Sequence, residues 1–197
     1  MTIIGITGPT GAGKTTALNE LEKLGGVIID CDAVYHGLLK SNYTLQHELE
    51  SRFGVLKDES GVFDRKKLGA VVFRDPAALA DLNAIAHRHV VMAVKEILVQ
   101  AEAQNIPVAA IDAIALFESG LAELCDATVA ITAPAEIRVE RIMAREGITR
   151  EYAQSRVNAQ NPEEFYTSRC QYTLRNDCKS AAEFGARARE LFSGILK

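Results

Sequence analysis

The sequence has no excess of basic residues, no long apolar run and no recognisable signal peptide. Its 22 lysines and arginines are outnumbered by 26 aspartates and glutamates, which gives a net charge of −4. This balance disfavours nucleic acid binding over a broad surface, although a local basic cluster can still hold phosphates. The charge balance therefore predicts no nucleic acid partner, and the missing apolar run and leader predict a cytoplasmic protein that does not bind membranes.

The sequence also has no C-x-x-C pair. Its four cysteines are widely separated: Cys31, Cys125, Cys170 and Cys178. A structural zinc site needs ligands clustered at suitable spacing, so this pattern argues against one and favours reduced thiols. His87 and His89 are two positions apart and diverge on a helix, so they do not form a metal-binding pair.

Internal repeats, low-complexity tracts and Pro/Ser-rich linkers are absent as well. A chain of 197 residues with 48% hydrophobic content is long enough for one sizeable core but short for two large domains. The sequence therefore predicts one body with insertions.

The apolar segments predict alternating strands and helices. A β-branched run at residues 2–7 is followed by a helical pattern from Lys14 and by a second apolar run at 27–29. Further strands are predicted at 108–111 and 127–131, with a weaker fifth at 172–174. This order predicts an α/β fold in three layers around a parallel five-stranded sheet.

Two segments lie between these core strands. The core is expected at about residues 1–32, 106–133 and 168–197. Residues 33–105 read as a helical substrate-binding insertion, with a long amphipathic helix from about Asp75 to Gln104, and residues 134–167 as an arginine-bearing lid. Gly147 divides this lid into two helices, and Thr149 caps the second.

The loop after the first strand carries the pattern G-x-x-x-x-G-K-[ST], formed by Gly8, Gly13, Lys14 and Thr15. Glycines turn backbone N–H groups toward phosphate oxygens, the lysine reaches the β- and γ-phosphates, and the threonine hydroxyl binds magnesium. Because the loop joins a predicted strand to a predicted helix, it indicates a P-loop nucleotide site rather than an ordinary glycine-rich turn.

Three aspartates follow core strands. Asp30 and Asp32 end the second strand, where residues two apart point the same way, so either could accept the proton of an attacking hydroxyl. The alternative for Asp32 is a helix N-cap. Asp112 closes the third strand and suits a magnesium ligand, although strand-end aspartates also form turns.

The lid arginines Arg141 and Arg145 are spaced i, i+4 and share one helix face. They could close over a triphosphate and offset the charge on the transferring group. The simpler alternative is a solvent-exposed face of alternating charge.

These motifs occur in an ordered series, and on them the chain resembles the dephospho-CoA kinase family. The matching residues are the loop 8–16, Asp30-Cys31-Asp32 with His36, Asp64 to Gly69 through Phe73, Leu82 to His87, Leu116-Phe117-Glu118, Arg141, Arg145, Arg156 through Gln160, and Asn176.

The resemblance implies a P-loop kinase that uses ATP and Mg²⁺ to phosphorylate the ribose 3′-hydroxyl of dephospho-coenzyme A. It implies that Asp32 is the base, with Lys14, Arg141 and Arg145 also catalytic. The implied ATP-binding residues are Gly11, Ala12, Gly13, Lys14, Thr15, Thr16, Arg141, Arg145 and Asn176. The implied substrate-binding residues are Asp32, His36, Arg65, Lys66, His87 and Asp112, and Thr15 and Asp112 are the expected metal ligands.

Four positions depart from the family pattern, and they lie outside the phosphate-transfer motifs. They are Ile114, Arg88, Tyr166 and Gln171. Arg88 stands where a proline is usual and is interpreted as a possible phosphate contact. Two alternatives remain at this point: a kinase of a nucleoside or nucleoside monophosphate, and a nucleotide-dependent switch, which the missing N-K-x-D sequence disfavours. A monomer or weak homo-oligomer is expected.

Overall fold

The computed structural model describes residues 1–197. Five strands and nine α-helices alternate along the chain, with a short 3₁₀ helix at Leu121–Leu124. The strands are β1 (Thr2–Thr7), β2 (Val27–Asp30), β3 (Val108–Asp112), β4 (Ala127–Thr132) and β5 (Tyr172–Arg175). The helices are α1 (Lys14–Lys23), α2 (Cys31–Ser41), α3 (Tyr43–Phe53), α4 (Arg65–Val72), α5 (Pro76–Ala103), α6 (Ala135–Glu146), α7 (Arg150–Asn158), α8 (Glu163–Thr167) and α9 (Ala181–Ile195).

The five strands form one parallel sheet in the order β2-β3-β1-β4-β5. β1 lies at the centre, so the loop that follows it emerges in the middle of the carboxyl edge. Asp30 is in register with Asp112 on the neighbouring strand, and Asp112 is in register with Ile6 of β1. The strand ends therefore bring the acidic residues beside the loop, as expected for ligand sites of open parallel sheets.

Helices cover both faces of the sheet, which confirms the predicted three-layer α/β fold. On β3, Val108 and Ala110 face the cluster built by α1 and α9, whereas Ala109 and Ile111 face the cluster that includes α5. The β3 side chains from Val108 to Ile111 are thus buried on one face or the other, which explains the continuous apolar run of this central strand.

The insertion has an apolar cluster of its own, formed by residues of α2 to α5 such as Leu39, Leu49, Leu68 and Ala78. The predicted long helix is present, begins after the capping residue Asp75 and has Pro76 in its first turn. Because α5 contributes to both this cluster and the sheet cluster, it connects the insertion firmly to the core.

Helices α6 and α7 form a hairpin around four buried residues: Val139, Ile142, Ala153 and Val157. Gly147 ends α6 in the left-handed conformation, and Thr149 caps α7 through the backbone N–H of Tyr152. Both boundary predictions are confirmed. None of the helices combines the length and apolar character that crossing a membrane requires.

Candidate phosphoryl-transfer site

The loop between β1 and α1 surrounds a cavity of about 360 Å³. Gly13 has a φ of 106° and stands at the N-terminus of α1, where a β-carbon would lie 2.3 Å from Nδ2 of Asn176. Only glycine fits this backbone conformation and this close approach. The loop glycine is therefore required by the tertiary structure as well as by the phosphate-binding motif.

Two predicted site residues, Asn176 and Arg141, bind carbonyl groups of the loop, and Arg141 also lines the cavity. Asn176 is buried and donates from Nδ2 to the carbonyl of Ala12 at 2.9 Å. Arg141 donates to the carbonyls of Gly11 and Ala12, each at 3.3 Å, and to Oδ1 of Asn176 at 3.0 Å. Both residues thus contact the predicted ATP loop, through its carbonyls, and their direct contact with ATP stays a prediction.

Lys14, Asp32, Asp112 and Arg145 all line this cavity. Burial lowers the pKa of the Lys14 ammonium, and the Asp112 and Asp32 carboxylates oppose that shift. Burial raises the pKa of Asp112, and Lys14 opposes it. The sequence-distant charges predicted for phosphoryl transfer are therefore in one electrostatic environment.

The two neighbouring aspartates are placed differently from the expectation. β2 ends at Asp30 and α2 begins at Cys31, so the prediction that Asp30 and Asp32 point the same way along a strand was wrong. Asp30 is the N-cap, and its Oδ1 accepts the backbone N–H of Ala33 at 3.0 Å. Asp32 lies in the first helical turn and lines the cavity, so the proposed capping role belongs to Asp30 and not to Asp32.

A second cavity, of about 210 Å³, begins where the first ends, since Asp32 and Ile114 line both. His87 lies along it, and burial lowers the pKa of this imidazole while the adjacent Glu118 opposes the shift. Asp32 therefore stands at the junction between the phosphate loop and a space walled by the insertion.

A third and larger cavity, of about 1140 Å³, carries Arg65 and Lys66 at the start of α4. Tyr35 and Leu82 line both this cavity and the second one. Neighbouring cavities share wall residues, so the three lie in succession from the phosphate loop to the basic end of α4. We call this succession of cavities the groove. Three of the predicted substrate-binding residues, Arg65, Lys66 and His87, lie along the groove.

Other predicted residues lie away from the groove. His36 is half-buried next to Tyr35 but lines none of the three cavities. Arg88 binds Glu48 at 2.7 Å on the outside of α5, so its interpretation as a phosphate contact has no support in the groove. His89 approaches the same Glu48 at 3.4 Å while His87 faces the second cavity, which confirms that the two histidines diverge.

Two of the remaining departures have structural roles. Gln171 accepts the backbone N–H of Thr128 at 3.0 Å and donates its own backbone N–H to the Thr128 hydroxyl at 3.1 Å, which ties the start of β5 to β4. Tyr166 is buried with its ring edge-on to Phe165. Ile114 alone among the four departures faces the junction of the cavities.

The sequence interpretation missed two arginines of the site. Arg156 lines the phosphate cavity and forms an ion pair with Glu146, which also binds Arg145 at 2.6 Å. Arg138 is buried and contacts the loop at Thr10. Both arginines belong to the charged lid sequence, but their spacing alone does not reveal which ones face inward.

Comparison with known proteins identifies relatives along almost the whole chain. The family model described as dephospho-CoA kinase matches residues 2–182. A curated dephospho-CoA kinase from Anaeromyxobacter dehalogenans (strain 2CP-C) is 36% identical over 178 residues, which is 89% of this chain and 84% of that protein.

Solved structures share the fold along the whole chain. A crystal structure of a Thermus thermophilus protein covers 100% of this chain and 98% of its own, with 33% identity and a TM-score of 0.81. The Campylobacter jejuni dephospho-CoA kinase structure gives a TM-score of 0.61 at 24% identity and covers 98% of this chain and 97% of its own. The latter likeness is one of fold.

Proposed function

This chain belongs to the dephospho-CoA kinase family, and we propose that it transfers the γ-phosphoryl group of ATP to the ribose 3′-hydroxyl of dephospho-coenzyme A. The observation that carries the proposal is the succession of three adjoining cavities, with Asp32 at the junction of the first two. One end presents a phosphate loop and the other a long space with basic residues. This arrangement fits an extended acceptor that meets ATP at a single reacting hydroxyl.

The loop end of the groove binds the triphosphate. Backbone N–H groups at the start of α1 point toward phosphate oxygens, and the helix dipole adds positive potential there. Lys14 and Arg145 line the same cavity and place two cations where negative charge shifts during transfer. The acidic chain thus concentrates positive charge locally at its nucleotide site.

Asp32 is the residue suited to take the acceptor proton. Asp32 lines both the phosphate cavity and the second cavity. Asp30 instead uses one carboxylate oxygen to cap α2. A hydroxyl lying at the junction would have the Asp32 carboxylate on one side and the γ-phosphate on the other. Holding the reactants in this order supplies most of the catalysis in phosphoryl transfer.

The far end of the groove suits the rest of the acceptor. Dephospho-coenzyme A carries a diphosphate and a long, largely uncharged arm, so its recognition needs cationic donors and an extended apolar wall. Arg65 and Lys66 supply the cations, and Phe63, Leu68 and Phe73 are among the apolar residues of the same cavity. Nucleosides and nucleoside monophosphates would leave this space unfilled.

Magnesium fits the phosphate end of the groove. Thr15 and Asp112 line that cavity with oxygen ligands, and no cluster of three or more His, Cys, Asp or Glu side chains is arranged to hold a metal ion. This agrees with a cation held by one or two protein ligands, water and nucleotide phosphates. Thr15 and Asp112 would hold Mg²⁺ there, and the cation would supply positive charge to offset that of the nucleotide.

The test is a coupled ADP-release assay with magnesium ATP and three acceptors: dephospho-coenzyme A, adenosine and AMP. We expect kcat/KM for dephospho-coenzyme A to be at least about 100-fold higher than kcat/KM for adenosine or AMP. This preference requires about 2.7 kcal/mol of differential transition-state binding. A preference for AMP or adenosine would refute dephospho-coenzyme A as the acceptor but would leave the assignment as a kinase intact. ADP release that is independent of every acceptor would instead favour the nucleotide-dependent switch.

The cations at the far end of the groove can be tested against a matched control pair. Replacing both Arg65 and Lys66 with glutamine should raise the KM for dephospho-coenzyme A by at least about tenfold, about 1.4 kcal/mol of binding. The exposed cations Arg52 and Arg88 bind Asp81 and Glu48 outside the groove, so their replacement by glutamine should leave this KM within about twofold. Equal effects of the two pairs would contradict the placement of the acceptor.

A further inference from the structure

Three polar groups of Thr10, a residue of the phosphate loop, are bound by two residues of the lid segment. Its backbone N–H donates to Oε1 of Gln160 at 3.1 Å, and its hydroxyl accepts from Nε2 of Gln160 at 2.8 Å. Its carbonyl accepts from Nε of Arg138 at 2.9 Å. The Thr10 backbone N–H is therefore already used within the protein and is not free to bind a phosphate.

The two lid residues also bind each other. Nη2 of Arg138 donates to Oε1 of Gln160, the same oxygen that accepts the N–H of Thr10. Arg138 is 6% exposed, and the backbone of α6 at this residue lies against Gly11, where a β-carbon would be 2.9 Å from the Arg138 carbonyl. We call Thr10, Arg138 and Gln160 the loop clamp.

The loop clamp joins distant parts of the chain. Arg138 lies in the first half of α6, and Gln160 follows the end of α7, so both ends of the lid hairpin meet at the same loop residue. Asn176 and Arg141 hold the other side of the loop at Gly11 and Ala12. Without Gln160, the Thr10 N–H and one side of the Arg138 guanidinium would lose their partner in a part-buried place, which favours rearrangement of the loop.

We propose that Gln160 is a positioning residue that, with Arg138, fixes the phosphate loop at Thr10 in its ATP-binding form and attaches the base of the lid to it. Gln160 itself does not line the phosphate cavity, whereas Thr10 does. Its effect reaches ATP through the loop. The inference rests on the nucleotide half of the proposed function and does not depend on the acceptor.

The test compares Gln160→Met with Gln154→Met. Methionine keeps the length of the side chain and removes the amide. Gln154 is the matched control because it lies in the same lid, and its amide binds only Asn158 within α7. Affinity for the magnesium complex of a non-hydrolysable ATP analogue is measured by isothermal titration calorimetry, without any acceptor.

We expect Gln160→Met to weaken binding of the analogue at least about tenfold and Gln154→Met to change it less than about twofold. In turnover assays of the same variants, the KM for ATP should rise with Gln160→Met while the KM for the acceptor stays within about threefold. A folded Gln160→Met protein with unchanged analogue affinity would overturn the proposal, as would equal rises in both KM values. If Gln160→Met does not fold, Thr10→Val takes its place, because it removes only the hydrogen bond of the Thr10 hydroxyl to Gln160. Thr10→Val should weaken binding of the analogue about threefold. An unchanged affinity in this variant would overturn the proposal.

The binding experiment also separates this inference from the proposed function. Should the wild-type protein fail to phosphorylate dephospho-coenzyme A, the analogue affinities of the two variants still decide the role of the loop clamp. Should it phosphorylate dephospho-coenzyme A while Gln160→Met binds the analogue normally, the proposed function stands and the loop clamp does not.

Discussion

Replacing Asp32 with asparagine separates the chemical role of this carboxylate from any structural one. The cap of α2 is the Asp30 side chain, which accepts the N–H of Ala33 at 3.0 Å, so the helix start keeps its hydrogen bond in the variant. Asparagine has nearly the same shape as aspartate but cannot accept the hydroxyl proton. The change therefore removes the base and leaves the groove in place.

The variant should lose much of its kcat and little of its thermal stability. General-base assistance is typically worth about 10²–10⁴-fold, so kcat should fall at least about 100-fold. A carboxylate in the first turn of a helix contributes about 0.3–1 kcal/mol through the helix dipole, and about 1 kcal/mol shifts the Tm of a protein of this size by about 2–4 °C. Asp32→Asn should therefore lower the Tm by no more than about 4 °C.

Asp30→Asn is the matched control, since asparagine is a good N-cap and keeps an oxygen for Ala33. Its kcat should stay within about threefold of wild type, a small change beside the range for a base. The assays are steady-state ADP release, calorimetric ATP affinity and thermal unfolding. Retention of more than a third of kcat by Asp32→Asn, or an equal loss in Asp30→Asn, would refute the assignment of the base.

Four further predictions concern Lys14, Cys31, Gly13 and Gly37. Lys14→Ala should lower kcat/KM for ATP at least about 100-fold, because a cation aimed at the transferring group is lost; steady-state kinetics of the folded variant that stay near normal would contradict this. Burial, with the nearby carboxylates, raises the pKa of Cys31 to about 12, so peptide mapping should show its alkylation at pH 8 to be at least about 100-fold slower in the folded protein than in urea. Gly13→Ala should weaken ATP binding and lower the Tm by at least about 4 °C, because φ is 106° and Asn176 Nδ2 lies 2.3 Å from the new carbon. Gly37→Ala, in the interior of α2 with nothing within 4 Å, should instead raise the Tm by about 2–4 °C, and a fall would contradict the helix assignment.

The element order could be predicted from the sequence because it depends on local patterns. Continuous apolar runs identified the parallel strands. The amphipathic pattern from about Asp75 and the predicted cap at Thr149 identified two helix starts within one residue. The phosphate loop was equally clear, because its glycines, lysine and threonine act through the backbone of a single short segment.

The boundary after β2 was not predictable in the same way. Asp30-Cys31-Asp32 reads equally well as the end of a strand and as the start of a helix. The structure ends the strand at Asp30 because the helix begins there and takes its side chain as the cap. Because the boundary falls between Asp30 and Cys31, the two aspartates belong to different elements, and only Asp32 lines the groove.

The sequence by itself determined the α/β order, the phosphate loop and the set of charged residues available for catalysis, because each depends on neighbours along the chain. Only the tertiary structure decided which of those charges meet. Arg88 turns outward to Glu48, whereas Arg138 turns inward to Thr10, 128 positions away. A residue's direction on a helix is set by the elements packed around it, and the sequence of that helix does not contain them.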